Sequence, residues 1–247
     1  VRRWPAALLG VLALAASAAA SEVDRAVAAL AARLAAARVV DLSVEQAVTL
    51  YHPDGRHIQA AGRQQLYFRV PDRQRVEQVV NGRREVWLVI GDRIWVRDAD
   101  GRVTERPAGP GEYTRVFAPV ARGAEALRAE WRALGIRDEV SHTLSWRGRA
   151  VLVIGARPGD RTSPAVWLDE AYGVVRLITT RGEAGDRVLV DLSLSEHRPV
   201  APGVTFPFRQ ELFVDGRLVV RAIVHAVRIN SGLSEELFSP DALGRAR

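Results

Sequence analysis

The stretch His52-Pro53-Asp54-Gly55-Arg56-His57 sets two imidazoles and a carboxylate within six residues. Those types can hold a zinc ion or pass protons. The spacing argues for neither. Asp54-Gly55 suits a two-residue hairpin turn with positive φ, so both histidines flank a turn, and no third ligand accompanies them. The segment reads as turn and surface, and no metal site is assigned. His225 stands alone on an otherwise apolar run and reads as a hydrogen-bonded core histidine. Ser231 to Glu236, "SGLSEE", reads as the cap of a short helix. No G-x-S-x-G, H-E-x-x-H or paired-carboxylate motif occurs. The chain has no cysteine, and its 35 basic residues are all arginine. Thiol nucleophiles, thiolate metal sites, attached haem, Schiff bases and the Walker lysine are therefore excluded. The sequence reads as a protein that is not an enzyme and needs no cofactor.

What remains are apolar side chains in unusual density. "EVWLVIGDRIWV", residues 85–96, reads as two strands around Gly91-Asp92, with bulk at both parities. Residues flanking a two-residue turn share a face of the sheet. That rule, applied to the turns at Asn81-Gly82, Gly91-Asp92 and Asp100-Gly101, gathers Val76, Val80, Trp87, Val89, Ile94, Val96 and Val103 on one face. The other face collects Arg75, Glu77, Arg84, Arg93, Arg97, Thr104 and Arg106 around Val86, Leu88, Ile90 and Trp95. The first is expected to be buried and the second solvated. The same rule at Asp215-Gly216 pairs Leu212 with Val219 and Phe208 with Ile223, on a face that continues through Val227 and Ile229.

The elements that must position these residues follow from periodicity. Residues 1–20 carry two arginines, an apolar run and an Ala18-Ala19-Ala20 end, the pattern of a secretory signal peptide cleaved near Ala20. Its loss takes away Arg2 and Arg3 and lowers the net charge from +6 to +4. No arginine block stands out, so nucleic acid is not expected as a partner. Residues 21–247 then form one domain without linker or internal repeat. Ser21 to Arg38 is an Ala-rich helix with Val23, Val27, Leu30 and Leu34 in a stripe. A second helix, within "ARGAEALRAEWRALGI", puts Leu127, Trp131 and Leu134 on one face and ends at Gly135. Everything else reads as strands joined by Asp-Gly, Asn-Gly and Gly-Asp turns, a long antiparallel meander. Such a sheet of about ten strands tends to curl. With two helices to cover it, the interior is either partly open or filled by its own side chains.

The order of these features resembles the LolA/LolB-like lipoprotein-carrier family, and most of all the outer-membrane lipoprotein-sorting group. The residues that carry the likeness are "QLYFRVPDRQRVE" (65–77), "LVIGDRIWV" (88–96), "LGIRDEVSHTLSWRGRAVLVIGARPGD" with "AVWLDEAYGVVRLIT", and the close "GVTFPFRQELFVDGRLVVRAIVHAVRINSGLSEELFSPDAL". The resemblance implies a mainly β fold, an unclosed antiparallel β-barrel with a helical lid over a hydrophobic cavity. It implies a monomeric periplasmic carrier of the acyl chains of lipoproteins or lipids, between an inner-membrane transporter and an outer-membrane acceptor. The cavity lining expected is Val76, Val80, Trp87, Val89, Ile94, Val96, Phe208, Leu212, Val219 and Ile223, under a lid formed by Leu127, Trp131 and Leu134. Two other readings stay open, a sensor of mislocalised lipoproteins and an envelope scaffold with a filled core. The chain also departs from the family. The lipoprotein chaperones place an arginine immediately before the early proline, where it ties sheet to lid. Here Val70 precedes Pro71, and Arg69 should point to the opposite face.

Overall fold

The computed structural model describes residues 7–108, 118–182 and 187–245, with side chains from Glu22 to Leu243. Helix α1 (Ala7–Ala36) is followed by β1 (Asp41–Tyr51), β2 (Ile58–Arg69), β3 (Arg73–Val80), β4 (Arg83–Ile90), β5 (Arg93–Arg97) and β6 (Val103–Pro107). Helix α2 (Ala124–Ala133) precedes β7 (Ser141–Trp146), β8 (Arg149–Ile154), β9 (Ala165–Asp169) and β10 (Gly173–Arg181). The long strands β11 (Val188–Ala201), β12 (Val204–Val214) and β13 (Arg217–Ile229) lead to a 3-10 turn (Glu235–Phe238) and α3 (Pro240–Arg245).

The strands form one antiparallel sheet of thirteen, in the order β6-β5-β4-β3-β2-β1-β13-β12-β11-β10-β9-β8-β7. Two meanders, β1–β6 and β7–β13, thus join side by side through β1 and β13. Strands β6 and β7, next to each other in chain order, stand at opposite edges, and the sheet curls without closing. Edge strand β6 is exposed along its length and ends in Arg106-Pro107, and a charge and a proline on an edge discourage pairing with another chain.

Helices α1 and α2 cover the concave face. The α1 stripe Val23, Val27, Leu30 and Leu34 is buried, and Leu127 and Trp131 of α2 pack into the same cluster. Strand residues Leu42, Val44, Leu66, Phe68, Val166, Leu177, Leu194 and Phe206 complete it. Each such side chain contributes roughly 1.5–3 kcal/mol by leaving water. Gly135, at φ +81°, stops α2 as its sequence position requires. Arg128 holds the helices in place, pairing with Asp24 of α1 and with Asp138 at 3.0 Å.

Register decides which side chains face inward. Val76 lies opposite Trp87, Trp87 opposite Val96, and Val89 opposite Ile94, as the turn rule predicts. Two hairpins differ from it. At Asp100-Gly101 the Asp98 carboxylate accepts from the N–H groups of Asp100 and Arg102 and draws residues 98–102 into a longer loop. Arg97 therefore faces Val103, and Thr104, not Val103, shares the face of Val96. At Asp215-Gly216 the turn is tight, with Val214 opposite Arg217, but a bulge follows between Leu212 and Phe213. Phe213 faces Leu218, Leu212 faces Val220 and Arg209 faces Ile223. The extra residue, Val219, reverses the parity beyond it. Val219 and Ile223 consequently leave the face of Leu212, and Val220 and Ala222 take their places. A second irregularity beside Glu45 and Gln46 skips His225 in the pairing and restores the inward parity for Val227. It also leaves His225 exposed, not in the core.

The convex face differs most from expectation. Its central patch is not solvated. Val86 and Leu88 are fully buried in a second cluster with Phe238 and Leu243, and Ile90, Trp95 and Tyr67 pack around it. The 3-10 turn and α3 fold back over β2–β5 to make this cover. Arg75, only 4% exposed, lies beneath it and donates to the Leu237 carbonyl at 3.0 Å.

Candidate functional site

On the concave side an open-mouthed cavity of about 300 Å³ lies between the two meanders. Its lining comes entirely from strands. Val48, Leu50, Leu66, Val76 and Trp87 form one wall, and Leu192, Leu212, Val220 and Ala222 the other. Trp87 keeps 36% of its surface accessible. The volume falls within the range of small-molecule sites, roughly 300–1,000 Å³. A larger, open space of about 610 Å³ lies between α1 and strands β7–β9, under Ala26, Ala29 and Leu30, with Arg33, Asp169 and Glu170 at its rim. Both spaces adjoin the α1–α2 cluster, which fills the rest of the concave face with side chains.

The smaller cavity also contains five glutamines: Gln46, Gln64, Gln74, Gln78 and Gln210. Three of them lie in register across neighbouring strands, Gln46 opposite Gln64 and Gln64 opposite Gln78, with Glu85 opposite Gln78. Their amides form a relay. Gln46 Nε2 donates to Gln64 Oε1 at 2.6 Å, Gln64 Nε2 to Gln78 Oε1 at 3.3 Å, and Gln78 Nε2 to Glu85 Oε2 at 3.0 Å.

No protein-family model and no curated protein matches the chain. Solved structures do. An outer membrane lipoprotein-sorting protein domain from Vibrio parahaemolyticus superposes with a TM-score of 0.57 at 16% identity, over 90% of this chain and 100% of that one. A DUF1329 family protein from Desulfovibrio piger gives 0.58 at 16% identity, over 89% and 98%. A LolA superfamily protein from Nitrosomonas europaea gives 0.55 at 13% identity, over 83% and 92%. The fold is the LolA-like open barrel.

Within this LolA-like fold the side chains singled out by sequence divide into groups. Val76, Trp87 and Leu212 line the smaller cavity. Val80, Val89, Ile94 and Val96 share the face of Trp87 without lining it, and Val89 and Ile94 are each 5% exposed. Phe208 packs against the main cluster, with the Arg198 guanidinium 4.5 Å over its ring. Val219 and Ile223 are displaced by the bulge. Leu127, Trp131 and Leu134 sit in the α1–α2 cluster and none of them borders the smaller cavity. Leu127 and Trp131 instead border a space of about 50 Å³ beside Tyr172 and His197. The glutamines were missed. Their signal was parity: Gln74 and Gln78 alternate with Val76, whose inward direction the turn rule gives.

Arg69 points to the convex face, as alternation requires. There it donates to the Leu233 carbonyl and pairs with Glu235 at 2.8 Å, and Arg73 reaches the same carboxylate. Arg69, two residues before Pro71, thus fastens the C-terminal segment in place of a concave-side helix. Asp41 works beside it. Its carboxylate accepts from the N–H groups of Ser231 (2.7 Å), Gly232 (3.0 Å) and Leu233 (3.2 Å), where Gly232 takes the φ of +75° that this nest of donors needs.

His52 and His57 remain on a surface turn. Asp54 accepts from the N–H groups of Arg56 and His57 and from the His57 ring, which lowers its own pKa and raises that of His57. Among the described residues no group of three or more His, Cys, Asp or Glu could hold a metal ion. No helix among them is long and apolar enough to cross a membrane.

Proposed function

We propose that the protein is a non-catalytic carrier that shelters acyl chains of lipoproteins or lipids between membranes. One observation carries this reading: a largely apolar, open-mouthed cavity of about 300 Å³, free of helix, beside the part-exposed ring of Trp87. A ring left open beside Val48, Leu66, Val76 and Leu212 is held ready for an apolar occupant. Burying a 16-carbon chain contributes on the order of 10 kcal/mol at about 0.8 kcal/mol per methylene. An open mouth makes that gain reversible, because part of the chain stays in reach of a membrane or acceptor. The fold, shared with a structure described as an outer membrane lipoprotein-sorting protein domain and with one described as a LolA superfamily protein, supports the same reading. So do the leader-like residues 1–20, which fit a protein working in the periplasm; on this reading it is a monomer that passes its load from an inner-membrane donor to an outer-membrane acceptor.

A scaffold reading draws on a different observation, the α1–α2 cluster that fills much of the concave face. Native mass spectrometry of protein purified without detergent separates the two. A carrier retains co-purifying lipid, or takes up a fluorescent fatty acid at one site. A bare mass together with no uptake of any acylated probe is the result that removes the carrier reading.

A further inference from the structure

The glutamine relay fixes the direction of its own amides. Glu85, as a carboxylate, only accepts, so Gln78 must turn its Nε2 towards it. The Gln78 oxygen then faces Gln64 and takes its N–H, and the Gln64 oxygen takes that of Gln46. The chain of donations ends at Gln46 Oε1, which is left as a bare acceptor. Gln46 is 5% exposed, and this oxygen has no hydrogen-bond partner. Gln74, 4% exposed, presents a second acceptor without a partner, its own Oε1. Gln210, 8% exposed, has an unpartnered Nε2. All three border the same cavity. A buried amide group without a partner is costly, and a wall meant only for hydrocarbon gains nothing from it.

Resting on the carrier reading, we propose that the ligand brings its own hydrogen-bond donor into this cavity. The occupant is an acyl chain bearing an amide N–H or a hydroxyl near its head, which donates to Gln46 Oε1; Gln74 lies four residues along β3 from Gln78, the residue level with Gln46, and is out of reach of the same group. A carbonyl on the same group accepts from Gln210 Nε2. A plain ester can only accept, and leaves the Gln46 oxygen unmet. The cavity therefore discriminates by donor and not by chain alone, since a site with buried polar groups rejects an analogue that cannot pair with them.

Three uncharged probes of one chain length test this: N-methylpalmitamide, methyl β-hydroxypalmitate and methyl palmitate, each displacing a fluorescent fatty acid. The amide, the hydroxy ester or both should bind about tenfold tighter than the plain ester, the factor that corresponds to about 1.4 kcal/mol. Which of the two is preferred names the source of the donor. In Gln46→Met and in Gln46→Leu, each checked by thermal melting, the ratio should collapse to within about twofold. The two substitutions differ in shape at the same site, so either alone can be read if the other fails to fold. Equal affinity for all three probes overturns the donor inference and leaves the carrier reading standing, with the glutamines met by water. A ratio that survives in both variants also overturns it. If no probe displaces the reporter and the reporter itself does not bind, the carrier reading falls and this inference with it.

Discussion

Val86 and Trp87 are neighbours in the chain and lie on opposite faces of β4, Val86 fully buried under Phe238 and Leu243, Trp87 36% exposed at the cavity. The face that looks solvated in sequence is the sealed one, and the face that looks like core holds the open ring. Phe238→Ala should therefore cost about 3–5 kcal/mol, a value typical of emptying a filled core site. Trp87→Ala should cost less than half of that in urea unfolding and should weaken acyl-probe binding. Equal losses of stability would show that Trp87 is ordinary core.

A carboxylate separates filled from open positions on one face. Val89 is 5% exposed and borders no described cavity, whereas Leu212 is half-buried and lines one. Val89→Glu should remove several kcal/mol, enough to abolish cooperative unfolding in a marginal domain. Leu212→Glu can keep water and should stay folded while losing the fluorescent fatty acid. Circular dichroism melts and a binding titration on both variants decide the matter.

The bulge at Val219 makes a register prediction that is easy to read, because the protein has no cysteine of its own. Val220→Cys and Leu212→Cys should label more slowly when a long-chain fatty acid is present. Val219→Cys should label at the same rate with or without it. Protection at position 219 and none at 220 would restore the unbulged hairpin.

His197 stacks on Tyr172, with ring centroids 4.5 Å apart, and its Nε2 has no partner. Burial pushes its pKa down to about 4; Asp169 pulls it upward, and Arg147 and Arg149 push it further down. A histidine held neutral by the fold contributes stability that is full above the unfolded value of about 6.5 and is lost as pH falls towards the folded one. The melting temperature should thus drop between pH 6.5 and 4, and His197→Phe should flatten that part of the curve. An unchanged slope in the variant would place the acid sensitivity elsewhere.

Gly155 takes a φ of +109°, and a Cβ there would lie 2.4 Å from the Pro164 carbonyl oxygen. Both strain and overlap oppose a side chain at this junction of β8 and the loop before β9. Gly155→Ala should cost more than about 1–3 kcal/mol, the usual penalty of the backbone strain alone. Gly148→Ala is the control, since its φ is also positive but nothing lies within 4 Å. Similar losses in the two variants would show that the close approach to Pro164 has relaxed.

Sequence by itself determined the strands, the two long-range helices and most of the register. Alternation, helical stripes and Asp-Gly or Asn-Gly turns are local, and a local rule can be applied residue by residue. It placed Val76, Trp87 and Val96 together and pointed Arg69 away from them. Tertiary structure decided whatever depends on a single extra residue or on a distant partner. The bulge at Val219 and the loop held by Asp98 each shift a strand by one position, and a shift of one exchanges the two faces. The cover over Val86 and Leu88 comes from residues about 150 positions later. A sequence pattern does not carry that contact, because any solvated face with apolar residues reads the same until something packs on it. The glutamine relay has the same origin: four side chains on four strands acquire a direction only when Glu85 closes one end, which leaves Gln46 Oε1 open at the other.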